Sequence, residues 1–184
     1  LRFISQHGFR SGFSCDKQQA LFYYDIISSL DINIPVDAFF LDFEKAFDKV
    51  PHQRLLLKLS RLNINTNVFN WIRSFLTNRQ QLVHANSISS SRSSVISGVP
   101  QGTVLGPLLF LIYINDLPSN ISSSIRLFAD DCVVYRPIAN IADTTTLQNN
   151  LNLILSWCDK WLMSLNIKKT SLVSFHHRPH YQSA

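Results

Sequence analysis

The fold class can be inferred first from residues 36–43 (VDAFFLDF). The run begins after Pro35 and is apolar and aromatic at most of its positions. These features predict a buried β-strand. Asp42 would then lie at the carboxyl end of that strand.

Two short β-prone runs, residues 125–129 and 132–135, occur later in the chain. Asp130 and Asp131 lie between them. Two such runs separated by only two residues are typical of a β-hairpin. The paired acids would therefore occupy the turn of that hairpin.

Helical patterns fill much of the remaining chain. Ser14 is a suitable N-cap for residues 15–30, which form a helix-favouring stretch ending before Pro35. The other predicted elements are helices at residues 55–62, 66–76, 102–117 and 144–165, a hairpin at residues 80–85 and 93–96, and a last strand at residues 171–175.

The order of these elements predicts the fold class. Without the first helix and the insertion at residues 50–97, the order is strand, helix, strand, strand, helix, strand, which is typical of the split βαβ or ferredoxin-like fold. We therefore predict a single α+β domain in which helices back an antiparallel sheet. In that topology the first strand lies beside the central hairpin, which would bring Asp42 near Asp130.

The composition is compatible with a folded protein that binds a polyanion. The 184 residues include 13 Phe and carry a formal net charge of +5, and the isoelectric point is about 9.3. Lys and Arg side chains that neutralise phosphates supply affinity through counterion release. On charge alone, a mildly basic soluble surface is an equally good explanation.

The cysteines are Cys15, Cys132 and Cys158, an odd number with wide spacing and no C-x-x-C pair. Neither a disulfide framework nor a structural zinc site is indicated, and a reducing compartment fits best. We therefore expect an intracellular location, nuclear or cytoplasmic. The longest apolar run, residues 104–114, is shorter than the ~20 residues that span a bilayer, so we expect no membrane partner.

Asp42, Asp130 and Asp131 are candidate metal ligands. Two divalent ions roughly 3.5 to 4 Å apart can stabilise the attacking and leaving oxygens of a phosphoryl transfer, and carboxylates suit Mg²⁺. An isolated pair of aspartates is more often a solvated turn. Three acids packed together would raise each other's pKa unless a cation compensates. The three aspartates together predict one phosphoryl-transfer centre.

Three longer motifs lie in order along the chain: residues 40–50 (FLDFEKAFDKV), 97–107 (SGVPQGTVLGP) and 128–131 (FADD). Together they resemble the palm of reverse transcriptases, in particular those of non-LTR (LINE-like) retrotransposons. Residues 6–10 (QHGFR) and 165–170 (LNIKKT) also resemble elements of that family, in the right order. The resemblance therefore spans nearly the whole chain.

The resemblance implies partial fingers at residues 1–35, a catalytic palm at residues 36–175 and a frayed tail at residues 176–184. It implies an RNA-directed DNA polymerase, in which a primer 3′-oxygen attacks the α-phosphate of a deoxynucleotide. The expected partners are an RNA template, a DNA primer and dNTPs, and the expected cofactors are two Mg²⁺ ions, with Mn²⁺ as an alternative. Because the family's fingers strands and thumb are missing from the chain, we expect the isolated fragment to be inactive.

The resemblance also implies roles for the acidic residues. Asp42 and Asp130 would be the principal ligands shared by both metals. The carbonyl of Phe43 would assist at the nucleotide-side ion, and Asp131 would complete the catalytic cluster.

The nucleotide-binding residues implied by the resemblance are Phe47, Gln101, Gly102 and Lys169. Phe47 would collide with a ribose 2′-OH and so favour deoxynucleotides, although a core aromatic is the alternative. Gln101 and Gly102 would contact the incoming nucleotide. Lys169 would lie near the leaving phosphates, with Lys168 as an alternative, and either lysine also fits a solvated charge.

Gly98, Phe128 and Arg10 are the implied template–primer residues, although Gly98 could equally serve only its turn. The chain departs from the family at Phe13, where a basic residue is frequent, so a phosphate or template contact is in doubt. Two alternatives stay open: a cellular or mobile-intron reverse transcriptase, and an inactive remnant that binds nucleic acid.

Overall fold

The computed structural model describes residues 5–177. Its helices are α1 (Cys15–Leu30), α2 (His52–Ser60), α3 (Thr66–Leu76), α4 (Leu105–Ile114) and α5 (Ile141–Trp161), with a 3-10 turn at Leu117–Asn120. Its strands are β1 (Val36–Leu41), β2 (Arg79–Gln81), β3 (His84–Ala85), β4 (Ile88–Ser89), β5 (Ser93–Val95), β6 (Ser124–Phe128), β7 (Asp131–Pro137) and β8 (Ser171–Phe175).

The main sheet contains β1, β6, β7 and β8 in the order β6-β7-β1-β8, and its neighbouring strands are antiparallel. The pairing of β1 with β7 runs from Val36↔Pro137 to Leu41↔Cys132. The prediction that the first strand lies beside the central hairpin is therefore confirmed.

Successive side chains of a strand point to opposite faces of a sheet, so the apolar residues of the main sheet lie on both of its faces. Helices cover each face. On the face that we call the helix-pair face, α4 and α5 pack on strand residues of the main hydrophobic core, among them Leu41, Leu127, Cys132 and Val134. On the face that we call the α1 face, Ile26 of α1 packs on a smaller cluster, which contains Val36, Ala38, Val133 and Tyr135.

Helix α1 has the predicted bounds, and its cap is the predicted one. The hydroxyl of Ser14 accepts a hydrogen bond from the amide N of Lys17 at 3.2 Å. A half-buried hydrogen-bond network connects α1 to the sheet. Arg126 Nη2 donates to Asp25 Oδ2 at 2.6 Å, and Arg126 Nε donates to the Tyr135 hydroxyl at 2.6 Å. Tyr135 also donates to Asp25.

The helix predicted at residues 102–117 is shorter in the structure, where α4 begins at Leu105 and ends at Ile114. Gly102 has a φ of 75°, which is left-handed and cannot start a right-handed helix. Thr103 Oγ1 accepts from the amide N of Gly106 at 3.0 Å and so satisfies a free N–H of the first turn.

The helix predicted at residues 144–165 is shifted, because α5 runs from Ile141 to Trp161. The Asn140 side chain caps its start by accepting from two backbone amides. Leu162 then adopts a left-handed φ of 56° and ends the helix. Leu165 fits the apolar spacing of the predicted helix but lies outside α5. It pairs with Phe43 in an isolated antiparallel bridge.

Other predicted elements differ little from the observed ones. The predicted strand at residues 36–43 stops at Leu41. The predicted hairpin at residues 80–85 and 93–96 is present, with β2 paired to β5 and β3 paired to β4 nearer its tip. Of the predicted tail, residues 178–184 lie outside the described residues, whereas His177 Nε2 lies 2.8 Å from the Leu30 carbonyl oxygen. Across the described part of the chain, no helix combines the length and the apolar character needed to cross a bilayer.

Candidate active site

The register of β1 and β7 brings the acidic residues to one corner of the main sheet. Leu41 pairs with Cys132, so Asp42 and Asp131 are the next residues at the same end of the two strands. Burial raises the pKa of Asp131 above its ordinary value, and the negative charges of Asp130 and Asp42 raise it further. The positive charge of Lys169 opposes this shift. The three carboxyl groups therefore form one electrostatically coupled group.

A cavity of about 380 Å³ opens beside this corner, on the α1 face of the sheet. The charged residues Asp42, Asp131 and Lys169 line it together with apolar residues of α1 and the strands, including Cys15, Phe22, Phe40, Phe128 and Val133. The acids thus border a space in which a ligand has access to both carboxylates and an apolar wall.

The segment after α5 supports Asp42 from the side opposite β7. The backbone amide of Asn166 donates to the Asp42 carbonyl at 2.7 Å, and that of Glu44 donates to the Ser164 carbonyl at 2.8 Å. This pairing does not use the carbonyl of Phe43, the predicted metal ligand. It also brings Lys169 to the site, where its Nζ lies 3.7 Å from Asp42 Oδ1.

The chemistry of the donor set fits Mg²⁺, because carboxylate oxygens are its preferred protein ligands and their mutual repulsion favours a cation. Within residues 5–177, however, no three acidic, histidine or cysteine side chains converge closely enough to hold a metal ion as they stand. The strands have brought the acidic residues together, and ligation still requires the carboxylates to turn toward one another.

Phe47 is half-buried and belongs partly to the core. Its ring stacks on that of Phe110 in α4, with 4.4 Å between the ring centroids, and meets the exposed Phe9 edge-on at 6.3 Å. Its carbonyl accepts from the amide N of Val99 at 2.8 Å. Phe47 therefore links the first motif to the loop that contains Gln101.

That loop is held on the first motif by several hydrogen bonds. Ser97 Oγ donates to the Asp48 carbonyl at 2.9 Å, and the buried His52 ring donates through Nε2 to the Gly98 carbonyl at 2.8 Å. A Cβ on Gly98 would lie 2.7 Å from the Asp48 carbonyl oxygen, and its φ is 92°. The close approach of Gly98 in the structure is thus to its own chain, and its template contact stays a prediction.

Gln101 is exposed, and its side chain is oriented by Asp48. Gln101 Nε2 donates to Asp48 Oδ1 at 2.9 Å. A carboxylate can only accept, so the amide Nε2 must face Asp48 and the amide oxygen is left for other partners. Both residues line a polar cavity of about 600 Å³ that also contains Lys45 and Arg79.

Phe128 and Arg10, two of the predicted template–primer residues, contact different parts of the molecule. Phe128 pairs with Asp131 at the end of β6 and lines the cavity beside the acids. Arg10 donates through Nη1 to the Gln6 carbonyl at 2.8 Å, and its guanidinium lies 4.1 Å from the centroid of the Phe13 ring. Phe13, the departure from the family, thus packs on Arg10.

Three residues near the site were not predicted from the sequence: Gln6, Asp48 and His52. Asp48 lies within the first motif and His52 just after it. Their partners lie in the Ser97–Gln101 segment, so no local pattern revealed the contacts. Gln6 opens the QHGFR element, and its partner Ala129 is 123 positions away. Only long-range contacts identify these residues.

Sequence relatives support one family for the chain. Residues 4–182 match the family described as reverse transcriptase (RNA-dependent DNA polymerase). The chain is 33% identical over 176 residues to the probable RNA-directed DNA polymerase from transposon X-element of Drosophila melanogaster, covering 92% of this chain and 19% of that protein. It is 36% identical over 145 residues to the RNA-directed DNA polymerase from mobile element jockey of Drosophila funebris, covering 74% of this chain and 16% of that protein.

The chain thus spans less than a fifth of the length of these two relatives. Among solved structures, an apo telomerase from Candida tropicalis truncated from its C-terminal domain matches with a TM-score of 0.69 and 13% identity, covering 95% of this chain and 37% of that one. At that identity the likeness shows the fold alone, an α+β arrangement with antiparallel sheets. The chain belongs to the reverse transcriptase family and is related to the enzymes of the non-LTR retrotransposons jockey and X-element.

Proposed function

We propose that this chain is the catalytic core of a retrotransposon RNA-directed DNA polymerase, which joins a dNTP to a primer 3′-OH on an RNA template. The observation that carries the proposal is the register of β1 and β7, which brings Asp42 next to Asp131. The electrostatic coupling of Asp131 to Asp42 and Asp130 supports it, because a repelling group of carboxylates favours a bound cation.

We propose further that the fold is a reverse-transcriptase palm with partial fingers. The sheet order β6-β7-β1-β8 with helices on its faces supports a ferredoxin-like palm. The segment up to residue 35, which includes α1, would then be part of the fingers. Telomerase structures with the same fold support this description of the sheet.

Asp42, Asp130 and Asp131 would hold the two Mg²⁺ ions, with the carbonyl of Phe43 as a further ligand. When bound, the ions would supply charge stabilisation to the attacking and leaving oxygens. The chain's own contribution is the corner of the sheet, which holds the backbones of Asp42 and Asp131 side by side before any ion binds.

Other residues would bind and select the nucleotide. Lys169, beside Asp42, would balance charge on the leaving phosphates. Phe47 would limit the space beneath the sugar, because its stacking on Phe110 restricts the movement of its ring. Gln101 would contact the nucleotide through the part of its amide that Asp48 leaves available.

The RNA template and DNA primer are proposed as partners on the same basis. The net charge of +5 favours a polyanion. Lys45 and Arg79 line the polar cavity next to Gln101 and would contact phosphates there. The matched relatives are named RNA-directed DNA polymerases, which supports the same template class for this chain.

Primer extension on poly(rA) with oligo(dT), dTTP and Mg²⁺ tests the proposal. Because the matched relatives are longer, the chain is assayed joined to the flanking segments of the Drosophila X-element polymerase. Asp42→Asn is expected to lower extension at least about a thousandfold, because it removes a metal ligand. Asp37→Asn, the same change on the same strand but away from the acids, is the matched control and should keep extension within about twofold.

Two outcomes would contradict the proposal. A folded joined protein that binds RNA and primer but does not extend it would instead identify a nucleic-acid-binding remnant. Equal extension by Asp42→Asn and Asp37→Asn would exclude Asp42 from the chemistry.

A further inference from the structure

Gln6 is a buried amide whose hydrogen bonds reach the turn formed by Ala129 and Asp130. Asp131, which was predicted in the same turn, is instead the first residue of β7. The Gln6 side chain is 2% exposed. Gln6 Nε2 donates to the Ala129 carbonyl at 3.0 Å, and Gln6 Oε1 accepts from the Ala129 amide N at 2.8 Å. One side chain therefore satisfies both backbone groups of the residue that precedes Asp130.

Ala129 needs this support because of its conformation. Its φ is 55°, a left-handed value that is unfavourable for a residue with a Cβ. The β6–β7 ladder ends at Phe128↔Asp131, so Ala129 lies beyond the strand pairs and its N–H and C=O are bonded to Gln6 instead. The Gln6 amide thus replaces a neighbouring strand at this point of the turn.

The segment around Gln6 is itself held firmly in place. The backbone amide of His7 donates to the Leu127 carbonyl, and that of Leu127 donates to the Ser5 carbonyl, both at 2.8 Å. Gln6 Oε1 also accepts from the Gly8 amide N at 2.8 Å. This part of the chain therefore forms an isolated parallel bridge with β6, between Gln6 and Leu127.

Gly8 shows independently how closely this segment lies against the turn. A Cβ on Gly8 would lie 2.3 Å from the Ala129 backbone N, which no side chain could occupy. A displacement of either segment would therefore displace the other.

We propose that Gln6 is a positioning residue for Asp130: its amide fixes the backbone of the Ala129 turn, and thereby the direction from which the Asp130 carboxylate reaches a divalent cation. The inference rests on the proposed function, because it concerns the same metal site. Gln6 touches neither the metal nor the nucleotide in this role. Its effect must therefore appear in cation affinity as well as in turnover.

Mn²⁺ binding to the 184-residue chain alone, followed by electron paramagnetic resonance of free Mn²⁺, tests the role without nucleic acid. Gln6→Met keeps the length of the side chain but removes its hydrogen bonds. We expect it to weaken Mn²⁺ binding by about tenfold, the size that loss of a supporting hydrogen bond typically has at metal sites.

Asn150→Leu is the matched control, because Asn150 is a buried amide of α5 that bonds to the backbone just before β6, at the end of that strand opposite to Ala129. Its side chain is 3% exposed, and its Oδ1 accepts from the Ser123 amide N at 2.8 Å. This variant should lower the melting temperature to a similar degree yet leave Mn²⁺ affinity within about twofold. Thermal unfolding of both variants is measured alongside. Gln6→Asn, which keeps the amide but shortens its reach, replaces Gln6→Met if that variant does not fold.

The outcomes separate this inference from the proposed function. If the unchanged chain binds Mn²⁺ and the Gln6 variants bind it equally well, the positioning role is overturned and the metal site stands. Equal weakening by Asn150→Leu would also overturn it, because the effect would then follow stability. If the unchanged chain binds no Mn²⁺, the metal site and the positioning role both fail.

Discussion

The two faces of the main sheet are covered to very different extents. On the helix-pair face, α4 and α5 complete a core whose residues include the fully buried Phe110, Tyr113 and Ile154. On the α1 face a single helix covers a small cluster, and the cavity beside Asp42 and Asp131 lies between the first half of that helix and the sheet. One face supplies stability, and the other leaves space for a ligand.

Buried or half-buried cations lie on both faces, and two of them differ in their electrostatic surroundings. On the helix-pair face, Lys58 of α2 lies 2.5 Å from Asp116 Oδ1 and 3.8 Å from the centroid of the Trp161 ring. Burial lowers the pKa of Lys58 to about 8 despite the neighbouring Asp116. On the α1 face, the hydrogen bonds of Arg126 to Asp25 and Tyr135 raise the pKa of its guanidinium group. The first cation can lose its proton at moderate pH, whereas the second stays charged.

Truncation of one aromatic residue on each face should give the largest difference between the two faces, measured as the loss in the free energy of unfolding. Phe110→Ala is expected to lower the free energy of unfolding by about 3 to 5 kcal/mol, because a fully buried ring leaves a cavity. Phe22→Ala, on the half-covered α1 face, should cost only about 1 to 2 kcal/mol. Urea denaturation followed by circular dichroism measures both. Equal losses would mean that the α1 face is as well packed as the other.

The buried Lys58 predicts that the stability contributed by the helix-pair face depends on pH. Because the folded pKa of Lys58 is about 8 and an unfolded lysine has a pKa of about 10.4, the unfolded chain binds more protons between these values. Stability attributable to Lys58 therefore rises with pH in that window, by on the order of 1 to 2 kcal/mol between pH 7.5 and 9.5.

Comparison of the unchanged chain with Lys58→Met isolates this contribution. Chemical denaturation at the two pH values should show the rise in the unchanged chain and a smaller change in Lys58→Met. Arg126→Met is the control on the α1 face, and it should keep the full rise because Lys58 is still present. A rise of the same size in Lys58→Met would assign the pH dependence to other groups.

The smallest predicted effect concerns the rim of the site. Asp48→Ala removes the acceptor that orients Gln101 but leaves the exposed loop otherwise bonded. We expect the KM for dNTP to rise about three- to tenfold with kcat changed less than twofold, and stability to change by less than about 0.5 kcal/mol. Steady-state primer extension with the joined polymerase measures it. Gln101→Ala combined with Asp48→Ala should add little further loss, and additive effects would contradict the orienting role.

Local patterns were sufficient for much of the secondary structure. The cap at Ser14 and the apolar run of β1 each express a preference of neighbouring residues, so both could be predicted. The ends of α4 and α5 could not, because they depend on left-handed conformations at Gly102 and Leu162, which apolar spacing does not reveal. Apolar spacing alone also made Leu165 look helical, although it lies in an extended segment beside Phe43.

The acidic residues, their positions at the ends of predicted strands and the family of the chain could all be inferred without the structure. Those features depend on short motifs and on periodicity, which neighbouring residues carry. The tertiary structure alone decided that Gln6 supports the turn before Asp130, that Asp48 orients Gln101 and that the cavity lies on the α1 face. The physical reason is that a hydrogen bond or a cavity between distant segments depends on how the strands pair, and no local preference encodes it.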